Sequence, residues 1–106
     1  MQEKTWDLKT VARIIKKHYP GAKVVFFGSR VRGDYLKESD YDIIVVSKRF
    51  EGKHFTKRAS EVLKILWKEN IIGDFEILCY TPEEFERKRK SISIVREALS
   101  YGKVFD

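Results

Sequence analysis

The apolar positions of the chain fall into short blocks whose spacing alternates between two periods. Residues 6 to 18, WDLKTVARIIKKH, place Trp6, Val11, Ile14 and Ile15 at three- and four-residue steps with basic residues between them, and Pro20-Gly21 closes the pattern. This predicts an amphipathic helix. Lys23 to Phe27 (KVVFF) and Tyr41 to Val46 (YDIIVV) are β-branched and aromatic, too short for ordinary helices, and read as buried strands. SKRFEGK, which follows the second strand, reads as a loop. From Phe55 to Trp67 the residues Phe55, Ala59, Val62, Leu63, Leu66 and Trp67 recur at helical steps, and after Gly73 a third strand spans Phe75 to Tyr80. Thr81-Pro82-Glu83-Glu84 has the form of a helix start: an N-cap, a proline in the first helical position, and acids in the first turn. A further helix is expected over Ser91 to Tyr101, ended by Gly102.

Helices interleaved with short apolar strands predict an α/β (α+β) fold, a mixed sheet covered by helices on one or both faces. A length of 106 residues suits one domain, residues 1–106, without internal repeat or linker. Any site is then expected at an edge of that sheet.

Composition narrows the class. Hydrophobic residues at 42% and charged residues at 36% fit a globular protein with a heavily charged surface and exclude a disordered chain. No apolar stretch approaches the roughly 20 residues needed to cross a bilayer, and the N-terminus lacks the apolar segment of a secretory signal, so a cytoplasmic protein is expected. The single cysteine, Cys79, lies within the apolar run FEILCY and reads as a buried structural thiol. His18 and His54 are isolated and give no zinc pattern. A net charge of +6 favours anionic partners without choosing among them.

Chemistry gathers in GSRVRGDYLKESDYDI, residues 28 to 43. On a strand, residues two apart share a face, so Asp40 and Asp42 aim together while Tyr41 points away. Like charges so placed repel unless something compensates. Paired carboxylates are hard oxygen ligands for Mg²⁺, which keeps several waters and completes its shell with substrate phosphates. Gly28-Ser29, directly after the first strand, offers the complement: glycine permits close backbone approach, turn N–H groups bind anions, and the serine hydroxyl adds a donor. Arg30 and Arg32 carry positive charge into the same segment. Gly33 reads as a turn residue. A third carboxylate would complete a phosphoryl-transfer site; the third strand offers Asp74 and Glu76, with Glu76 preferred because Phe75 and Ile77 beside it should face the core.

The pattern apolar-Gly-Ser, then Ser-Asp-x-Asp, resembles the signature of the polymerase-β-type nucleotidyltransferase superfamily, and Gly-Ser-x-x-Arg-Gly is similar to its minimal members. The order of elements and FEILCYTPEEFE extend the resemblance over nearly the whole chain. It implies a palm-like mixed sheet, phosphate binding by Gly28 and Ser29, Mg²⁺ held by Asp40 and Asp42, and a third acid assisting an acceptor hydroxyl. That acid falls on Glu76, where the family more commonly has aspartate. Minimal members are often paired with a helical HEPN protein as toxin and antitoxin, the transferase moving AMP from ATP to a tyrosine of the toxin. The resemblance therefore implies ATP or another NTP as substrate and a HEPN protein as partner.

Two other readings compete. One is a partner-binding protein that keeps the scaffold but catalyses little, since so small a domain lacks lobes to cover a nucleotide. The other is a basic nucleic-acid binding module, suggested by the pI of about 9.5 and the run Arg87-Lys88-Arg89-Lys90; against it, no helix-turn-helix, zinc or RNP-like pattern is visible. That run otherwise reads as a solvated helix face, and Trp6 and Trp67 as core or interface anchors. The oligomeric state, a dimer included, is left open.

Overall fold

A computed structural model of the chain describes residues 7–27, 41–90 and 94–106. The described elements run α1 (Leu8–His18), β1 (Lys23–Phe27), β2 (Tyr41–Val46), a short 3-10 turn (Lys48–Phe50), α2 (Phe55–Lys68), β3 (Phe75–Tyr80), α3 (Pro82–Arg89), α4 (Ile94–Tyr101) and β4 (Lys103–Phe105). The strands form one sheet in the order β3-β2-β1-β4, with β2 and β3 parallel and β1 antiparallel to both β2 and β4. The expected mixed α/β architecture is therefore present.

The two central strands explain the unbroken apolar runs of the sequence. Alternate residues point to opposite faces, and both faces are covered. Val24, Phe26, Ile43, Val45, Ile77 and Cys79 pack against Val11, Ala12 and Ile15 of α1 and Val62 and Leu66 of α2. Val25, Phe27, Ile44, Val46 and Tyr80 pack against Phe85 of α3 and Val95 and Ala98 of α4. Each such buried aliphatic or aromatic side chain stabilises the fold by about 1.5–3 kcal/mol.

Helix ends follow local chemistry. The Asp7 carboxylate accepts from the Thr10 N–H at 2.8 Å and sets the start of α1, one turn-defining interaction that the apolar spacing alone placed at Trp6. Thr81 and Glu84 form a reciprocal capping box over Pro82, as the sequence predicts. At the end of α2, Asn70 takes a left-handed conformation (φ 63°), while its N–H donates to Trp67 O and that of Ile71 donates to Leu66 O. This is a Schellman closure, and it turns the chain toward β3.

Three features depart from the sequence reading. The three residues of β4 are too few to show a period, and pairing with β1 and an edge-to-face contact between Phe105 and Phe26 (5.6 Å) hold them in place. Gly102 precedes them because a Cβ there would meet Phe26 O at 2.8 Å and collide with Ala98 O. Phe55 and Trp67 lie half out of the core, 43% and 51% exposed, while Arg58 is buried in the stripe that also holds Val62 and Leu66. The Arg58 guanidinium donates to Lys53 O (3.0 Å), Cys79 O (3.2 Å) and both Glu84 oxygens (2.7 and 3.4 Å), so its charge is paired and its donors used.

The Arg58 bonds hold the Glu84 carboxyl below its ordinary pKa of 4.5, with the capping contacts to Thr81 adding to the effect. A depressed folded-state value contributes stability that is complete above the ordinary value and is lost as pH falls through the folded-state value. On acidification below about pH 4.5, the urea midpoint of wild type should fall more steeply than that of Glu84→Gln; parallel curves would show that this pair does not carry the acid response.

Candidate functional site

The parallel register of β2 and β3 brings two acids together. Asp42 lies directly beside Glu76, and on its other side Asp42 faces Phe27, the last residue of β1. Alternation puts Asp42 and Glu76 on the face that carries Ile44, Leu78 and Tyr80 deeper in the sheet. Neighbouring strands lie about 4.8 Å apart, so the two carboxylates share one small region of the sheet mouth. Asp42 is half-buried and Glu76 exposed.

Tyr41 fixes this register from the opposite face. Its N–H donates to Asp74 O at 3.1 Å, and its ring lies 6.2 Å from that of Phe75. Phe75 and Ile77 do turn to the core, as expected, which leaves Glu76 pointing the other way. Asp74 is exposed and precedes the strand, so Glu76 rather than Asp74 is the strand's partner for Asp42.

Asp40, Gly28, Ser29, Arg30, Arg32, Gly33 and Trp6 lie outside the described residues. In the chain, Gly28 directly follows Phe27 and Asp40 directly precedes Tyr41. Among the described residues no cluster of three or more His, Cys, Asp or Glu side chains could hold a metal ion. Asp42 and Glu76 supply two oxygen donors with no sulfur or imidazole, a set that suits a hard divalent cation.

The other candidates take structural roles. Cys79 is buried, and desolvation pushes its thiol up to about 12, which keeps it protonated and unreactive at neutral pH. His18 reaches toward Glu69 at 3.9 Å, and His54 Nδ1 lies 3.0 Å from the Thr56 hydroxyl. In the basic run, Arg87 pairs with Glu83 (3.4 Å) and Arg89 with Glu86 (3.0 Å), both along α3 and well exposed. Sequence reasoning did not find the Phe27–Asp42 pairing or buried Arg58; an arginine four residues before Val62 in an apolar stripe was the available signal for the latter. No helix among the described residues is long and apolar enough to cross a membrane.

The family model for the nucleotidyltransferase domain matches residues 8–101, and the chain belongs to that family. It is 30% identical over 99 residues to a protein of Methanocaldococcus jannaschii named "putative protein adenylyltransferase", covering 92% of each chain. A crystal structure described as a "putative nucleotidyltransferase" from Sulfolobus solfataricus superposes with a TM-score of 0.57 at 30% identity, over 74% of this chain and 68% of that one. A second crystal structure of the same description gives a TM-score of 0.54 at 30% identity, over 78% of this chain and 87% of that one. The protein is thus a transferase of the nucleotidyltransferase class, with the sheet and covering helices of its structural neighbours.

Like charges directly opposite on neighbouring strands are destabilising. In the presence of a chelator, Glu76→Gln should therefore melt higher than wild type, by roughly 1–5 °C for about 0.2–1 kcal/mol. A lower melting temperature, read by calorimetry, would show that Glu76 stabilises the sheet instead.

Proposed function

We propose that this chain, acting as one minimal domain, transfers AMP from ATP to a hydroxyl of a protein acceptor at the mouth formed by Asp42 and Glu76. The observation that carries the reading is the register that sets these two acids side by side next to the end of β1, where the Gly28-Ser29 segment begins. A relative 30% identical over most of both chains, named for protein adenylylation, supports AMP as the group moved and protein as the acceptor.

In this reading Asp40 and Asp42 hold Mg²⁺, with Glu76 as the third carboxylate, and the cation when bound neutralises phosphate charge. Gly28, Ser29, Arg30 and Arg32 hold the phosphates through backbone N–H groups, a hydroxyl and two guanidinium groups. Glu76 accepts the proton of the acceptor hydroxyl. A bond forms between that oxygen and the α-phosphorus, the α–β phosphate link breaks, and pyrophosphate leaves. The glutamate reaches about one methylene further than an aspartate would.

The acceptor that the motif resemblance favours is a tyrosine of a HEPN toxin, with this chain as antitoxin. Glu76 is exposed, so a partner that covered the nucleotide would meet it there. Asp42→Asn should lower Mg²⁺-dependent transfer of radiolabelled AMP from ATP to a HEPN protein by at least about 100-fold, the scale seen on removing one charge-stabilising group. Its circular dichroism should match wild type. Undiminished labelling by the folded variant would overturn the assignment of Asp42.

A further inference from the structure

The two helices that cover one face of the sheet carry charge of nearly one sign. In α1, Lys9, Arg13 and Lys17 fall at four-residue steps on the side away from buried Val11, Ala12 and Ile15, with Lys16 beside them, and the helix contains no acid. In α2, Lys57, Lys64 and Lys68 form a second row, opposite the buried stripe of Arg58, Val62 and Leu66. Both helices pack on the same layer of the core, so the two rows share one side of the molecule. We infer that this side binds single-stranded nucleic acid, the lysines meeting its phosphates and Trp67 a base.

The charge is available. Lys9, Lys17, Lys57, Lys64 and Lys68 are exposed and Lys16 is half-buried, and among the described residues none of these ammonium groups enters a hydrogen bond or ion pair. The acids nearby are already engaged. Asp7 caps α1 through the Thr10 N–H and is the acid on which Arg13 acts. Glu61, the one acid of α2, accepts from Lys53 Nζ at 2.8 and 2.9 Å and from the Tyr19 hydroxyl. Glu69 lies 3.9 Å from His18. On the other layer the charges of α3 cancel instead, Arg87 against Glu83 and Arg89 against Glu86. Cations without internal partners hold small counterions, and a polyanion that releases them binds without displacing any contact of the fold.

Trp67 decides which polyanion fits. It is 51% exposed and packs on neither layer of the core. It stands three residues after Lys64 and next to Lys68 in the last turn of α2, so its indole lies beside the lysine row. A basic row that follows a phosphate backbone, with an aromatic face beside it for a base, is the arrangement on which single strands bind without sequence preference. From Lys57 to Lys68 the row runs about 16 Å along the helix, long enough to meet more than one phosphate. An acidic protein surface would use the lysines and leave the indole without a role. Asp42 and Glu76 stand on the opposite face of the sheet, with Ile44 and Tyr80, so this surface is separate from the paired acids.

The test is fluorescence anisotropy of a labelled oligouridylate, titrated with the protein in EDTA at a series of salt concentrations. Log affinity should fall against log salt with a slope of about −2 or steeper, since each phosphate of a single strand contributes about 0.7. Lys64→Glu/Lys68→Glu and Lys9→Glu/Lys17→Glu should each weaken binding at least about tenfold. Trp67→Ala should weaken it about fivefold or more, the low end for one stacked base. Arg87→Glu/Lys88→Glu makes the same change of net charge on the other layer and should cost less than about threefold, because solvent and salt screen it there. All of these positions are exposed, so the variants keep the fold, which circular dichroism checks. No saturable binding at low salt, an equal loss in the α3 variant, or undiminished binding by Trp67→Ala would each overturn the inference. Equal affinity for polyglutamate or for duplex RNA would also overturn it, identifying an acidic protein surface or a double helix as the partner.

Discussion

A slip of one residue between β2 and β3 would turn Glu76 into the core and Phe75 out to the acids, because side chains on a strand change face at every step. The register that prevents this is held from both sides. Tyr41 and Phe75 meet on the face covered by α1 and α2, and the Tyr41 N–H binds Asp74 O. Ile44, Leu78 and Tyr80 continue the opposite face beneath α3 and α4. Hydrophobic burial over the five other paired positions therefore decides where two carboxylates stand, and their mutual repulsion is the smaller term. The site proposed for a polyanionic substrate is in this sense a consequence of how the core divides between two layers.

The second constraint is the buried guanidinium of Arg58. It joins the first turn of α2, the carbonyl of Cys79 on β3, and Glu84 on α3. The Glu84 carboxylate thus serves both this charge pair and the capping box of α3.

Much of this was legible in the sequence, and the reasons for the remainder are physical. VVFF and IIVV announced central strands because both faces of the sheet are dry, and Thr81-Pro82-Glu83-Glu84 announced its helix because capping is a local interaction. Asp42 and Glu76 were found as candidates from spacing and motif resemblance, but that they pair across strands is a matter of tertiary register, which no local pattern contains. β4 was too short to be periodic. Phe55 and Trp67 matched the apolar stripe of α2 and yet stand half in water, while Arg58 with its three sets of partners is buried in line with Val62 and Leu66. Asn70 ends α2 in a conformation that asparagine tolerates, a signal overshadowed by the nearby Gly73.

The most direct measurement of the central claim is paramagnetic broadening of the amide spectrum by substoichiometric Mn²⁺ in the presence of ATP. The account predicts broadening centred on Asp42, Glu76 and Phe27, fading along β2 and β3 toward Val46 and Tyr80. Broadening centred elsewhere, or spread evenly over the acidic side chains of the surface, would contradict a cation and nucleotide site at the paired acids.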